Sequence, residues 1–206
     1  MKTDNRLKIW ETALLAGLAV CLLCGAAALR AQDKLADKVV RLHVLANSDS
    51  TADQALKLQV RDAVLEHTTG LLNETEDSTE AAALLRRELP ELERIAAEVI
   101  HACGYGYSVR AEVSVTEFPT REYAGFRLPA GEYLALRILI GEGAGQNWWC
   151  VVFPPLCSAV SADISVAAAG LSAEEISLIT EPEYVLKFKT IELWETIRQK
   201  LEKTAG

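Results

Sequence analysis

The chain has 206 residues, half of them hydrophobic, and carries 21 basic against 29 acidic side chains, a formal net charge of −8. That balance excludes nucleic acid as a partner, because such binding draws its affinity from lysine and arginine neutralising phosphates. The length suits a targeting segment followed by one domain large enough to bury a core.

Lys2, Arg6 and Lys8 precede an uncharged run from Thr12 to Leu29, rich in leucine, alanine and valine, and the next charge is Arg30. This is the layout of an export signal, with the basic residues staying on the inner side of the cytoplasmic membrane. The run is near the lower limit for crossing a hydrocarbon core of about 30 Å. Residues 1–30 therefore read as an export signal or membrane anchor, and Ala26-Ala27-Ala28 offers small residues to a signal peptidase. Cys21 and Cys24 lack the small residue immediately before them that a lipoprotein signal shows and read as apolar filler. Residues 1–30 hold four of the basic and two of the acidic side chains, so the exported part is more acidic still.

From Lys38 to Ala46 the sequence alternates, with Val40, Leu42, Val44 and Ala46 on one face and Arg41 and His43 on the wetter one, which predicts a strand. Asn47-Ser48-Asp49 ends it. Ser50 with Asp53 three residues on makes a capping-box pattern, and Leu56, Val60 and Val64 supply the apolar stripe of a helix closing near Gly70. After an acidic link, Leu85, Leu89, Leu92, Ala96, Val99 and Cys103 mark a second helical region, kinked or restarted at Pro90 and capped by Gly104.

The period then changes to two. Val109, Ala111, Val113 and Val115 alternate with polar residues, Phe118 to Arg121 breaks the pattern, and Tyr133 to Ile140 gives another strand. Gly141 to Gly145 is expected to be a hairpin loop, and Trp148 to Phe153, apolar on both faces, a central strand. Ser158 to Ala169 looks like a linker. Ser172 and Glu175 hint at a short helix, and Phe188, Ile191, Trp194, Ile197 and Leu201 fall at helical spacing. The fold class is α+β: a single domain with helices packed on one face of a mostly antiparallel sheet, preceded by the N-terminal signal or anchor helix.

Each candidate for chemistry has a structural competitor. Gly141-x-Gly143-x-Gly145 heads a strand, whereas a phosphate cradle needs a helix N-terminus there. Cys150 or Cys157 with His43 would be needed for a cysteine nucleophile and its base, but Cys150 lies in an apolar strand. Outside the cytoplasm, Cys150 and Cys157 flank a turn containing Pro154-Pro155, which suits a short-loop disulfide; the alternative is two buried thiols. Asn47, Asp49 and Asp53 supply too few oxygens for calcium, no zinc-like spacing occurs, and no cofactor or metal is expected. Trp148 and Trp149 point to opposite faces of a strand, so at most one offers a stacking platform to a sugar.

The words Val40-Arg41-Leu42-His43-Val44-Leu45-Ala46-Asn47-Ser48-Asp49-Ser50, Asp53-Gln54-Ala55-Leu56-Lys57-Leu58, Leu128-Pro129-Ala130-Gly131 and Asn147-Trp148-Trp149-Cys150-Val151-Val152-Phe153-Pro154-Pro155-Leu156-Cys157 stand in this order. Together they resemble the stage II sporulation protein R family of endospore-forming Gram-positive bacteria. The resemblance covers residues 38–157, and Phe188 to Trp194 resembles the family's ending, while residues 158–187 depart from its pattern. Together with the charge and periodicity patterns, it divides the chain into 1–30 for export, a 38–157 signalling domain, a linker-like 158–187 and an amphipathic 188–206.

What the resemblance implies is a signal and not an enzyme. Such a protein is made in the forespore and exported into the intermembrane space, secreted or membrane-anchored. There it activates a membrane-embedded aspartic protease of the mother cell, which processes the sigma-E precursor. The competing reading is a secreted cell-wall hydrolase or wall-binding module. The resemblance assigns no catalytic residues. On physical grounds a receptor-binding surface is expected at Arg41, His43, Asn47 and Asp49, which share a strand and its exit turn, and at Arg121 and Trp148 near other strand ends.

Overall fold

The computed structural model describes residues 3–123, 125–156 and 171–180. The chain divides into two units, Met1–Lys34 with Val185–Gly206, and Leu35–Tyr184. Helix α1 (Thr3–Asp37) is, from Ile9 onward, long and apolar enough to cross a membrane, and none of its apolar window is buried. Trp10, Leu14 and Leu23 are each more than 70% exposed (75%, 72% and 72%). So large an exposed apolar surface needs lipid or a targeting machinery to cover it, which fits a signal or transmembrane segment.

The Leu35–Tyr184 unit follows the order β1 (Val40–Leu45), α2 (Thr51–Leu72), α3 (Ser78–Ala102), β2 (Val109–Phe118), β3 (Arg121–Tyr123), β4 (Phe126–Leu128), β5 (Gly131–Ile140), β6 (Asn147–Phe153) and α4 (Ala173–Thr180). The strand-turn-helix start forms as its capping chemistry requires: Ser50 is the N-cap of α2 and its hydroxyl accepts from the Asp53 backbone N–H. The helix runs through Gly70 to Leu72, and α3 runs through Pro90 as one helix. Gly104 takes the left-handed φ of +83° that follows the end of α3. Ser172 and Glu175 form a reciprocal capping box at α4, each side chain accepting from the other's backbone N–H.

The main sheet has the order β2-β5-β1-β6. β1 pairs parallel with β5 and antiparallel with β6, and β2 pairs antiparallel with β5, so two of the three pairings are antiparallel. The pleat sends Val40, Leu42, Val44, Leu136, Ile138, Cys150 and Val152 to one face, where they pack with Leu56, Val60 and Val64 of α2 and Leu85, Leu92, Ala96 and Ile100 of α3.

Three expectations are corrected. The Gly141–Gly145 segment is no hairpin, because β1 lies between β5 and β6. Trp148 to Phe153 is not central: among the described residues β6 borders only β1, and its apolar second face is met by other elements. Finally, the face carrying Arg41 and His43 is not wet. It is covered by a second cluster built on Leu35, Val39, Phe118, Phe126, Leu128, Tyr133, Val151 and Ile179, to which the separate β3–β4 hairpin and α4 contribute. The sequence words from 157 to 170 and from 181 onward lie outside the described residues.

The helix-facing core fixes a first expectation. Leu92→Ala, at a side chain with no exposure, should cost about 2–5 kcal/mol. Val115→Ala, at an exposed strand position, should cost less than about 1 kcal/mol. Urea unfolding followed by circular dichroism checks both.

Candidate functional site

Two constellations stand out in the Leu35–Tyr184 unit, one at the end of β1 and one on its second face. At the end of β1, the chain leaving β5 must step over β1 to begin β6, spanning two interstrand spacings, about 10 Å. It does so by wrapping the turn after β1. Gly145 N–H donates to Ala46 O (2.9 Å), Ala144 N–H to Asn47 O (3.3 Å), Glu142 N–H to Asn47 Oδ1 (3.1 Å) and Gln146 N–H to Asp49 Oδ1 (2.7 Å). The approach is close enough to demand glycine. A Cβ on Gly145 would lie 2.2 Å from Ser48 O, and one on Gly141, whose φ is +55°, 2.2 Å from Asn47 Oδ1.

The start of α2 locks the same turn. Asp53, buried, accepts from Ser48 Oγ (2.5 Å) and Asn47 Nδ2 (3.0 Å). The Ser48 and Asn47 hydrogen bonds hold its carboxyl below the usual carboxylate range. Lys57 is also buried, donating to Gln54 Oε1 (2.6 Å) and Gln146 O (2.9 Å), and burial lowers its ammonium below the ordinary value.

The second constellation follows from strand register. On the face away from α2 and α3, Glu112, Arg137, His43 and Trp149 form a row across the four strands, and Ser114, Ala135, Arg41 and Val151 form the next. Arg41 has no exposure at all. Its Nη2 donates to Tyr123 Oη at 2.5 Å, and its guanidinium carbon lies 4.1 Å from the Phe118 ring centroid and 4.9 Å from that of Tyr133. Cation–π contacts in a desolvated site are worth about 2 kcal/mol each, whereas burying an unpaired ion costs several. Burial accordingly lowers the Arg41 pKa, with Tyr123 and Tyr133 acting against it.

His43 is 7% exposed, with Nε2 2.8 Å from Asn147 Oδ1 and its ring stacked on Trp149 at 5.7 Å. Burial pushes its pKa down, the Asn147 hydrogen bond opposes this, and Arg137 and Arg41 add to the fall. Arg121 lays its guanidinium 3.9 Å from the Trp149 centroid, and Arg137 pairs with Glu112.

The six residues expected at a receptor surface are thus separated. Arg41, His43 and Arg121 meet on the second face; Asn47 and Asp49 belong to the turn enclosed by the glycine loop. Trp148, 37% exposed, points to the opposite face beneath Arg61, whose guanidinium carbon is 4.3 Å from its ring centroid. Arg41 and His43 are corrected from exposed contacts to buried ones, since Phe118, Tyr123, Tyr133 and Trp149 cover them. Tyr123, Tyr133, Arg137 and Trp149 were not expected at this site, although a charge within the apolar run from Val39 to Leu45 is a signal that partners must be found elsewhere.

The cysteine-nucleophile arrangement does not form from Cys150 and His43, which occupy opposite faces of the sheet. Cys150 is disulfide-bonded, and a sulfur so engaged is no thiolate. Its expected partner, Cys157, lies outside the described residues. Cys103, free and partly exposed, donates to Gln59 Oε1. Among the described residues no group of His, Cys, Asp or Glu is placed to hold a metal ion.

The family model described as stage II sporulation protein R matches residues 36–163. Over 160 residues the chain is 39% identical to the stage II sporulation protein R of Bacillus subtilis (strain 168), covering 76% of this chain and 71% of that one. No solved structure matches it.

Gly145→Ala forces the loop off Ser48 and should destabilise by more than about 2 kcal/mol. Gly70→Ala, in a helix with nothing near its Cβ, should stabilise by about 0.5–1 kcal/mol. His43 titrates in the unfolded chain near about 6.5 and lower when folded. The unfolded state therefore binds more protons below that pH, and stability is complete above it and falls as pH drops through it. Urea midpoints should decline from pH 7 to pH 5, and His43→Gln should flatten that slope.

Proposed function

The chain belongs to the stage II sporulation protein R family, and from that premise we propose that it is an exported signal of endospore formation. It is made in the forespore and taken through the membrane by α1. The Leu35–Tyr184 unit then meets a membrane-embedded aspartic protease of the mother cell and raises its processing of the sigma-E precursor. The observation that carries this reading is α1 itself, whose apolar window is exposed throughout and which is followed along the chain by a family-typical domain in which the best cysteine and histidine candidates for catalysis stand on opposite sides of a sheet.

A non-catalytic activator works by binding one state of its partner more tightly than the other. Moving that partner from 1:99 to 99:1 takes a preference of roughly 10⁴-fold. Such discrimination calls for a rigid, complementary surface, and aromatic and arginine side chains dominate the energetics of surfaces of this kind. Arg121, Trp148 and Asp49 are the exposed members of the expected contact set, and they are the proposed contacts. Arg41, His43 and Asn47 set the backbone and rings from which these project.

A reconstituted assay with the full chain, the protease and the precursor tests the proposal. Deleting residues 1–30 should abolish processing in cells, and a heterologous export signal should restore it. Arg121→Ala and Trp148→Ala should each reduce it about tenfold or more, the scale of an interface anchor worth above about 1.4 kcal/mol. Unchanged processing with the domain retained in the cytoplasm sinks the reading. So does turnover of a wall substrate that disappears in His43→Ala.

A further inference from the structure

Beneath the β3–β4 hairpin, buried hydrogen-bond donors stand without acceptors among the described residues. In the fully buried Arg41 guanidinium, Nη2 is bonded to Tyr123, while Nε and Nη1 have no acceptor among the described residues. Trp149 Nε1, on the same face, has none either among the described residues. Arg121, from the hairpin, brings a second positive charge to the same ring cluster: its guanidinium carbon lies 3.9 Å from the Trp149 centroid and that of Arg41 4.1 Å from the Phe118 centroid, with the two rings 6.5 Å apart. The nearby carboxylates are already taken, Glu112 by Arg137 and Arg110, and Glu122 by Arg127. A buried guanidinium with idle donors and a like charge beside it lacks an anion.

We propose that this face is an anion-binding site that takes a carboxylate, held between Arg41 as its floor and Arg121 as its mouth, with Trp149 Nε1 as a further donor. Access is through the hairpin. β3 and β4 are three residues each and pair only with one another, outside the main sheet. Arg121 is exposed, and Tyr123 is tied to the floor through its hydroxyl, which accepts from Arg41 and donates to Trp149 O at 3.3 Å. Displacing this short element, which also takes Phe126 and Leu128 off the second cluster, exposes Arg41 while leaving the four-stranded sheet paired.

A carboxylate fits better than a phosphate for two reasons. The walls are rings, Phe118, Tyr133, Phe126 and Trp149, so each additional negative charge adds desolvation cost. A monoanion also neutralises the single charge that is buried, while matching the planar donor geometry of guanidinium groups.

The inference stands apart from the signalling proposal, because binding is measured on the isolated chain. Purified full-length protein in detergent is titrated calorimetrically, at constant ionic strength against chloride, with acetate, with the peptide acetyl-Gly-Asp-Gly-amide and with inorganic phosphate. Saturable carboxylate binding with a raised thermal midpoint is expected, weakened tenfold or more in Arg121→Ala and absent in Arg41→Gln. Because Arg121 lies on the exposed hairpin, its variant decides the matter even where Arg41→Gln does not fold. Tighter binding of the peptide than of acetate assigns the carboxylate to a polypeptide side chain; equal binding assigns it to a free small acid. No response beyond chloride, a response unchanged in Arg121→Ala, or tighter binding of phosphate overturns the assignment.

Discussion

The fold depends on one crossing, the passage of the Gly141–Gln146 loop over the end of β1. Two successive antiparallel strands joined by a short link ordinarily pair with each other as a hairpin. Here β5 and β6 leave a strand's width between them, and β1 fills it through parallel pairing on one side and antiparallel pairing on the other. The arrangement holds because the loop finds its hydrogen bonds on the β1 turn, at Ala46 O, Asn47 O and Asn47 Oδ1, in place of those a hairpin would make. It also needs the space that Gly141 and Gly145 leave. Asn47 serves both sides of the crossing: its Oδ1 accepts from the loop and its Nδ2 donates to Asp53 in α2. One side chain thereby joins β1, α2 and the crossover from β5 to β6.

Placing β1 in the interior has a chemical consequence. An edge strand could have left Arg41 and His43 to water; an interior strand covered on both faces cannot. Among the described residues the need is met with aromatic rings and not with carboxylates: Phe118 and Tyr133 lie over Arg41, Trp149 stacks on His43, and Tyr123 accepts a hydrogen bond from the Arg41 guanidinium. Rings lessen the cost of a buried cation without cancelling its charge. Among the described residues the second face is consequently the less fully satisfied half of the domain.

Local rules made the local structure legible. Ser50 as a cap, the α3 stripe, Gly104 in its left-handed conformation and the Ser172–Glu175 box all follow from hydrogen bonds or periodicities spanning a few residues. What escaped is non-local. Three-residue strands such as β3 and β4 are too short to show a period. Strand order is set by contacts such as Val40 with Leu134 and Phe153, which no window of sequence contains. The wet-face reading of Arg41 and His43 failed for the same reason. Alternation tells which residues share a face, but whether that face meets water depends on Phe118, Tyr123 and Trp149, which follow Arg41 and His43 by 75 to 108 positions.

The long separations bear on how the Leu35–Tyr184 unit takes shape. Neither the β1–β5 pairing nor the second-face cluster exists until residues from both ends of the Leu35–Tyr184 unit have met, and loop-closure entropy makes such contacts slow to form. α1 stands at the other extreme: a helix satisfies its own backbone within a few residues, and it needs only an apolar environment. The chain therefore joins a segment that is competent locally to a domain that acquires its surfaces only as a whole. Under the signalling proposal this division is useful. Arg121 and Trp148 lie on separate elements and on opposite faces of the sheet, so a partner that reads both senses the finished fold and not a fragment of it.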